Sequence, residues 1–189
     1  MNGRLWMALV LSAAVVAGCG KSDSGGGSGG GGSSSGQKTP EEAFKGFKAA
    51  GEAGDIKVLW NSISKKTRDS FVDRTKKQLE EMNKKGDSEW EEAAKELGKT
   101  AAELKKMSAE DFTMMMMGRE MTTPEEKEKA KKLVLDKVEM RGEVAILYTT
   151  KHNGKKDMAA LVKEDGTWKM DMEESEKLDK EIDKLNEGK

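Results

Sequence analysis

The chain has very few residues of the kinds that build cross-links, metal centres and aromatic platforms. Its 189 residues include one cysteine, one histidine and one tyrosine, and aromatic residues make up 5%. One cysteine cannot form an internal disulfide, and one histidine excludes multi-histidine zinc sites and gives no support to a Ser-His-Asp triad. The low aromatic content also argues against a platform for stacking nucleic-acid bases.

The charged residues are numerous but balanced. They make up 37% of the chain, with 34 Lys and Arg against 35 Asp and Glu, so the formal net charge is −1. There is no basic surplus to attract nucleic acid or anionic lipid. The apolar fraction of 35% is enough for one modest core but not for two. We therefore expect a single domain with long solvated helices and no nucleic-acid partner.

The first 18 residues have the layout of a secretory signal. Arg4 is followed by an almost entirely apolar run over 5–16, which is too short to span a bilayer. The Val-Ala-Gly-Cys sequence at 16–19 resembles the bacterial lipobox, and in that family the cysteine is lipidated and becomes the first residue after cleavage. Two or three acyl chains hold a protein firmly at a membrane. We therefore predict a lipoprotein signal peptide over 1–18 and a membrane anchor on Cys19.

The tract behind the cysteine is almost entirely Gly and Ser as far as residue 36. Such a tract behaves as a flexible coil, with a root-mean-square reach of about 20–25 Å at this length. By resemblance to other lipoproteins, Asp after the cysteine would favour the inner membrane, so Gly20 favours the outer membrane. We expect a flexible linker over 19–36 and an envelope protein that is lipid-anchored at the outer membrane and faces the periplasm.

Residues 37–189 predict one domain whose first part, 39–132, is helical. A Ser or Thr followed three residues later by Glu is a capping box that marks a helix start. Such boxes begin at Thr39, Ser88, Thr100 and Thr123, and Asp55 and Ser108 are further candidate caps. Gly86 and Gly98 indicate helix ends.

From residue 133 the hydrophobic pattern alternates, which is typical of strands. Turn signals at 142, 152–154 and 165–166 divide 133–172 into a four-stranded antiparallel meander. A helix over 173–187 closes the chain. These elements predict an α+β fold, with N-terminal helices packed on a curved four-stranded antiparallel sheet and a C-terminal helix.

The loop at His152 leaves the strand register open. A two-residue loop places Ile146 and Tyr148 on the same sheet face as Ala159, Leu161 and Trp168. A bulged three-residue loop exchanges the faces. Both alternatives are compatible with the sequence, and His152 itself is expected to be exposed at the turn.

Three segments carry a family resemblance: Thr-Pro-Glu-Glu-Ala-Phe from residue 39, GDIKVLWNSIS over 54–64 and VKEDGTWKMDM over 162–172. They are similar to bacterial lipoproteins with a nuclear-transport-factor-2-like domain, also called the SnoaL-like or cystatin-like cone. In that family a curved sheet wraps a long helix and leaves a conical pocket. The resemblance covers 39–64 and 133–172, whereas 65–120 is longer and more helical than the usual domain.

The resemblance implies a pocket, which we expect to be lined by Trp60, methionines of the segment 114–121 (Met114 and Met117 among them), Tyr148 and Trp168. Core anchoring is the alternative role for the two tryptophans. Asp136 interrupts the alternation of its strand and is the sixth candidate position in the pocket. If Asp136 were buried beside Tyr148, its pKa would rise toward a value useful for acid–base catalysis.

Four consecutive methionines over 114–117, with Met107 and Met121 nearby, are the most unusual motif. Thioethers are ligands for Cu(I), but consecutive residues spread around a helix and do not converge. Met114, Met117 and Met121 can share one face. Because methionine also fills irregular cores, we expect packing or pocket lining, with copper binding as an alternative.

Taken together, these features predict a lipid-anchored envelope protein with a non-catalytic domain and no cofactor or metal. Its expected partners are the membrane, through Cys19, and either an envelope protein or a small apolar ligand. The alternatives are a small SnoaL-like enzyme that uses Asp136, and copper handling by the methionine cluster.

Overall fold

The computed structural model describes residues 37–187, which all fall within one compact unit. The predicted signal peptide, Cys19 and the Gly/Ser linker lie outside the described residues, so those assignments stay predictions. Within the described part of the chain, no helix is both long and apolar enough to cross a membrane.

Helices precede the sheet, and two short helices follow it. The elements are α1 Pro40–Ala53, α2 Ile56–Asn61, α3 Lys65–Lys85, α4 Asp87–Leu97, α5 Ala101–Lys106, α6 Ala109–Met121, α7 Pro124–Lys132, β1 Val134–Arg141, β2 Val144–Thr150, β3 Lys156–Glu164, β4 Thr167–Asp171, α8 Met172–Glu176 and α9 Asp179–Asn186. The four strands are antiparallel and lie in the order β1-β2-β3-β4. The predicted α+β class is confirmed.

Local capping sets most helix starts. Thr39 and Thr100 form the predicted capping boxes, and the side chains of Ser108 and Thr123 accept hydrogen bonds from their helices. The box predicted at Ser88 is wrong. Gly86 alone separates α3 from α4, and its φ of 98° allows α4 to begin before that serine.

The loop between β2 and β3 selects the second of the two registers. Lys151 N donates to Lys155 O at 2.9 Å, which closes a three-residue loop over 152–154. Tyr148 therefore pairs with Met158, and Ile146 pairs with Ala160. Because side chains alternate along a strand, these residues lie on the face opposite Leu161 and Trp168.

One face of the sheet packs against α1. Its buried cluster combines two residues of the helix with small and large apolar residues of the strands: Ala43, Phe44, Ala145, Leu147, Leu161 and Trp168. A β-bulge at Asp136 shifts the register between Leu135 and Lys137, and Leu135 and Val138 then both pack on this cluster.

The other face of the sheet is covered by the end of the chain. Leu178 and Ile182 pack on Ile146, Met158 and Ala160. Helical structure at the C-terminus is confirmed, but a turn at Lys177–Leu178 divides the predicted helix over 173–187 into α8 and α9. We attribute the break to packing, since Leu178 at the turn is itself buried against the sheet.

A second lobe lies in the helical half, formed by the C-terminal part of α3 with α4, α5 and α6. Its buried cluster consists of Met82, Trp90, Ala94, Leu104 and Phe112. Thr113 of α6 donates a buried 2.8 Å hydrogen bond to Thr75 of α3. We refer to α4 and α5 with this cluster as the α4–α5 lobe.

Candidate functional site

The residues predicted to line one pocket lie in separate parts of the fold. Trp60 is buried in α2, where its Nε1 donates a 2.9 Å hydrogen bond to Glu110 Oε1. Trp168 belongs to the cluster under α1, whereas Tyr148 lies on the opposite face of the sheet. The structure does not bring these three aromatic residues together, because the three-residue loop turned Tyr148 to the other face.

The two predicted methionines lie on α6, away from the sheet clusters. Met117 is buried and Met114 is half-buried. Their neighbours Met115 and Met116 pack on the α4–α5 lobe. The described residues contain no group of three or more His, Cys, Asp or Glu side chains placed to hold a metal ion.

Asp136 occupies the bulge of β1. The enzymatic alternative requires this aspartate to be buried beside Tyr148, and the structure does not place it there. The residue lies at the surface with its side chain 32% exposed, and the carboxylate accepts hydrogen bonds from Thr150 Oγ1 at 2.8 Å and Lys156 Nζ at 2.9 Å. The hydroxyl of Tyr148 bonds to other residues. The expected buried pairing of Asp136 with Tyr148 is therefore not formed, since the bulge leaves the carboxylate at the surface.

The structure instead places Tyr148 in a polar cluster with Lys137, Glu139, Arg141 and Glu181, which we call the Tyr148 cluster. Arg141 binds Glu181 with two parallel hydrogen bonds of 2.9 Å and donates to Glu139 at 2.7 Å. It also donates to the Tyr148 hydroxyl at 3.0 Å, and that hydroxyl donates to Glu139 at 3.0 Å. Lys137 Nζ lies 3.9 Å from the centroid of the tyrosine ring.

Strand geometry explains four of the five members. Lys137, Glu139 and Arg141 alternate along β1 and so share one face. A two-residue turn joins β1 to β2, and the register pairs Lys137 with Tyr148 and Arg141 with Val144. Glu181 lies on α9, and Ile182 of this helix, with Leu178 at the turn before it, fixes the helix on the same face.

The cluster favours its charged states. Hydrogen bonds from Arg141, and then from Lys137 and Tyr148, lower the pKa of Glu139 to about 2. The same guanidinium lowers the pKa of Glu181, and the two carboxylates raise the pKa of Arg141.

The Tyr148 cluster has the chemistry of a binding site more than that of a reaction centre. It combines a half-buried aromatic ring, a guanidinium with forked donors and a carboxylate acceptor. Apolar residues adjoin it, because Ile146 and Met158 lie on the same face. A flat molecule with hydrogen-bonding edges matches this combination.

Of the five residues in the Tyr148 cluster, only Tyr148 was predicted from the sequence to be a site residue. The signal for three others was available: a two-residue turn at 142–143 predicts Lys137 opposite Tyr148, with Glu139 and Arg141 on the same face. Nothing local predicts Glu181, because its position depends on how the last helix docks.

Comparison with protein families identifies part of the chain. Residues 90–170 match a family model described as putative lumazine-binding. That family is nuclear-transport-factor-2-like, so the predicted resemblance is confirmed at this level for the matched segment. The match spans less than half of the chain, from Trp90 in α4 to Met170 in β4, and it includes part of the helical region 65–120 that the predicted resemblance left out. No curated protein and no solved structure matches the chain significantly.

The matched segment contains the four members of the Tyr148 cluster that lie on the sheet. Lys137, Glu139, Arg141 and Tyr148 fall within 90–170, whereas Glu181 falls outside it. The strand part of the cluster therefore lies inside the matched region, and Glu181 of α9 lies in the segment that follows it.

Proposed function

We propose that this protein is a lipid-anchored envelope protein whose domain binds a small planar ligand without transforming it. The match of residues 90–170 to a family described as putative lumazine-binding carries the proposal of a ligand. Lumazine is a flat bicyclic heteroaromatic compound with hydrogen-bond donors and acceptors on its edges. Sites for such molecules combine apolar contact with a few convergent polar groups.

The Tyr148 cluster is the position that we propose for this ligand. The guanidinium of Arg141 recognises a planar edge through two parallel N–H groups, and Glu139 supplies an acceptor beside it. The tyrosine ring offers a stacking surface. In the described conformation Lys137 lies over that ring and Glu181 occupies the forked donors, so a ligand takes their places.

The absence of catalysis is part of the proposal and is supported by the hydrogen bonds of Asp136 and Asp171. Asp136 is exposed and bonded to Thr150 and Lys156, and Asp171 caps α8 and accepts a hydrogen bond from Ser64. Both carboxylates therefore serve structural hydrogen bonds, and neither lies beside the Tyr148 hydroxyl.

The membrane anchor is supported by the sequence at 16–19 and by the flexible Gly/Ser tract that follows it. Metabolic labelling with a palmitate analogue tests the anchor. The wild-type chain is expected to incorporate label and to fractionate with the outer membrane, and Cys19→Ser is expected to lose the label. Ser22→Ala is the matched control. Labelling of Cys19→Ser would overturn the lipid anchor.

Binding of lumazine by the full chain, purified in detergent and followed by titration calorimetry, tests the ligand. Arg141→Gln is expected to weaken binding at least about tenfold, because hydrogen bonds to a charged group are lost. Arg119→Gln, which changes an exposed arginine on α6, is the matched control and should bind as the wild type does.

Two results separate the parts of this proposal. If lumazine does not bind to the wild-type chain, the ligand drawn from the family description is wrong. If lumazine binds equally well to Arg141→Gln, the ligand site lies outside the Tyr148 cluster. Glu181→Gln is expected to strengthen binding, since it removes the carboxylate that competes for Arg141.

A further inference from the structure

The methionines of α6 play no part in the proposed ligand site. Six of the 13 methionines lie between residues 107 and 121, in α6 and just before it. Five of them, Met107, Met114, Met115, Met116 and Met121, are half-buried, whereas Met117 is 3% exposed. Because consecutive helical residues point in directions about 100° apart, the helix presents thioethers on several sides.

We propose that α6 is a methionine oxidation site, at which hydroperoxides convert half-exposed thioethers to sulfoxides and thereby loosen the α4–α5 lobe. In each reaction the sulfur attacks one peroxide oxygen, the O–O bond breaks and an S–O bond forms. The sulfur loses two electrons and the peroxide gains them. The transferred oxygen gives its proton to the leaving oxygen, which departs as water or an alcohol.

The position of these sulfurs links their oxidation to the stability of the lobe. Met107, Met115 and Met116 pack against the cluster that contains Trp90, Leu104 and Phe112. A sulfoxide is polar. Burying it against these apolar side chains without a hydrogen-bond partner costs free energy. Oxidation therefore weakens the contact by which α4 and α5 hold to α6.

The other interactions that stabilise the α4–α5 lobe are weak. Lys105 pairs with Asp87 at 2.6 Å, but the aspartate is 86% exposed, and exposed pairs contribute little to stability. Trp90 Nε1 donates to Asn83 at 3.1 Å, and the lysine ammonium lies 5.9 Å from the Trp90 ring. The apolar cluster is therefore what mainly holds the lobe, and loss of its methionine contacts is not offset elsewhere in it.

Treatment of the full chain with hydrogen peroxide, followed by peptide mapping, tests which sulfurs react. Met107, Met114, Met115, Met116 and Met121 are expected to gain one oxygen each before the buried Met82, Met117 and Met158 do. Simultaneous oxidation of the buried and half-buried groups would overturn the assignment of α6 as an oxidation site.

Amide hydrogen exchange of the oxidised chain tests the consequence. Exchange in 87–106 is expected to accelerate at least about tenfold, which corresponds to about 1.4 kcal/mol, while exchange in 144–162 stays unchanged. The triple variant Met107→Leu, Met115→Leu, Met116→Leu keeps the apolar volume and is expected to suppress the acceleration. Met140→Leu is the control, because Met140 is 53% exposed on β1 and remote from the lobe.

Each outcome decides the inference. Accelerated exchange in the wild type and in Met140→Leu, but not in the triple variant, supports it. If 87–106 exchange at the same rate before and after oxidation of α6, the link between modification and the lobe is wrong. Acceleration that persists in the triple variant would place the cause outside the methionines that contact the lobe and would equally overturn it.

Discussion

Ser64, at the start of α3, donates a 2.7 Å hydrogen bond to Asp171, at the end of β4, across 107 positions of sequence. The serine is fully buried and the aspartate is 2% exposed. Ser64 also caps α3 by accepting from Thr67 N, and Asp171 caps α8 by accepting from Glu174 N. This hydrogen bond therefore links the N-cap residues of α3 and α8 and connects the helical half to the sheet.

Replacement of this serine is expected to destabilise the whole domain. Ser64→Ala removes a helix cap and leaves a buried carboxylate without one of its donors, which costs about 2–4 kcal/mol. Urea unfolding followed by circular dichroism measures the change. Ser70→Ala, on the exposed side of the same helix, is the control and should unfold as the wild type does. Equal midpoints for the two variants would contradict the role given to the Ser64–Asp171 bond.

Stability should depend on the protonation of Glu139. Its folded-state pKa of about 2 lies below the ordinary value of 4.5, so its contribution is present above pH 4.5 and is lost as the pH falls toward 2. In Glu139→Gln, the free energy of unfolding is therefore expected to fall less steeply across this range. Urea unfolding at a series of pH values tests this, with Glu143→Gln at the exposed β1–β2 turn as the control. If the free energy of unfolding depended on pH in the same way in the wild type and in Glu139→Gln, the role given to Glu139 in the Tyr148 cluster would be contradicted.

The two large apolar side chains of α9, Ile182 and Leu185, should differ in their importance for stability. Ile182 is 7% exposed and packs on the sheet, so Ile182→Ala is expected to cost about 2–3 kcal/mol. Leu185 is 41% exposed, and Leu185→Ala should change stability by no more than about 0.5 kcal/mol. Urea unfolding of both variants measures the difference. Similar losses would mean that α9 docks through a different face.

The turn between β3 and β4 should tolerate glycine but not alanine at its first position. Asp165 has a φ of 48°, in the left-handed region, and Gly166 follows with 77°. Asp165→Ala is expected to cost about 1 kcal/mol, because a β-carbon is disfavoured there. Asp165→Gly should remain within about 0.5 kcal/mol of the wild type. A loss of similar size in both variants, measured by thermal unfolding, would show that the aspartate side chain rather than the backbone angle matters.

Local sequence signals were sufficient to predict most of the helices and strands. The capping boxes at Thr39 and Thr100 and the Asp165–Gly166 turn are all present, because each depends on atoms no more than four residues apart. The capping box predicted at Ser88 is not formed, and the reason is also local. The positive φ of Gly86 allows α4 to begin at Asp87, before the serine.

The site could not be predicted in the same way. His152, Asn153 and Gly154 are compatible with loops of two or three residues, and only the longer loop turns Tyr148 away from Trp168. That difference put Tyr148 and Trp168 on opposite faces of the sheet, whereas the β1–β2 turn put the tyrosine on the same face as Arg141. The docking of α9 then brought Glu181 to the guanidinium.

By itself, the sequence determined the α+β order of elements, most of the helix starts and the strand turns, because these rest on short-range hydrogen bonds and on backbone angles. It also carries the prediction of a lipid anchor at Cys19. Only the tertiary structure decided on which face of the sheet Tyr148 meets its β3 neighbours, where the last helix breaks and that Glu181 reaches Arg141 beside Tyr148. These depend on packing between segments far apart in the chain, where many local choices fit and the burial of the whole domain selects one.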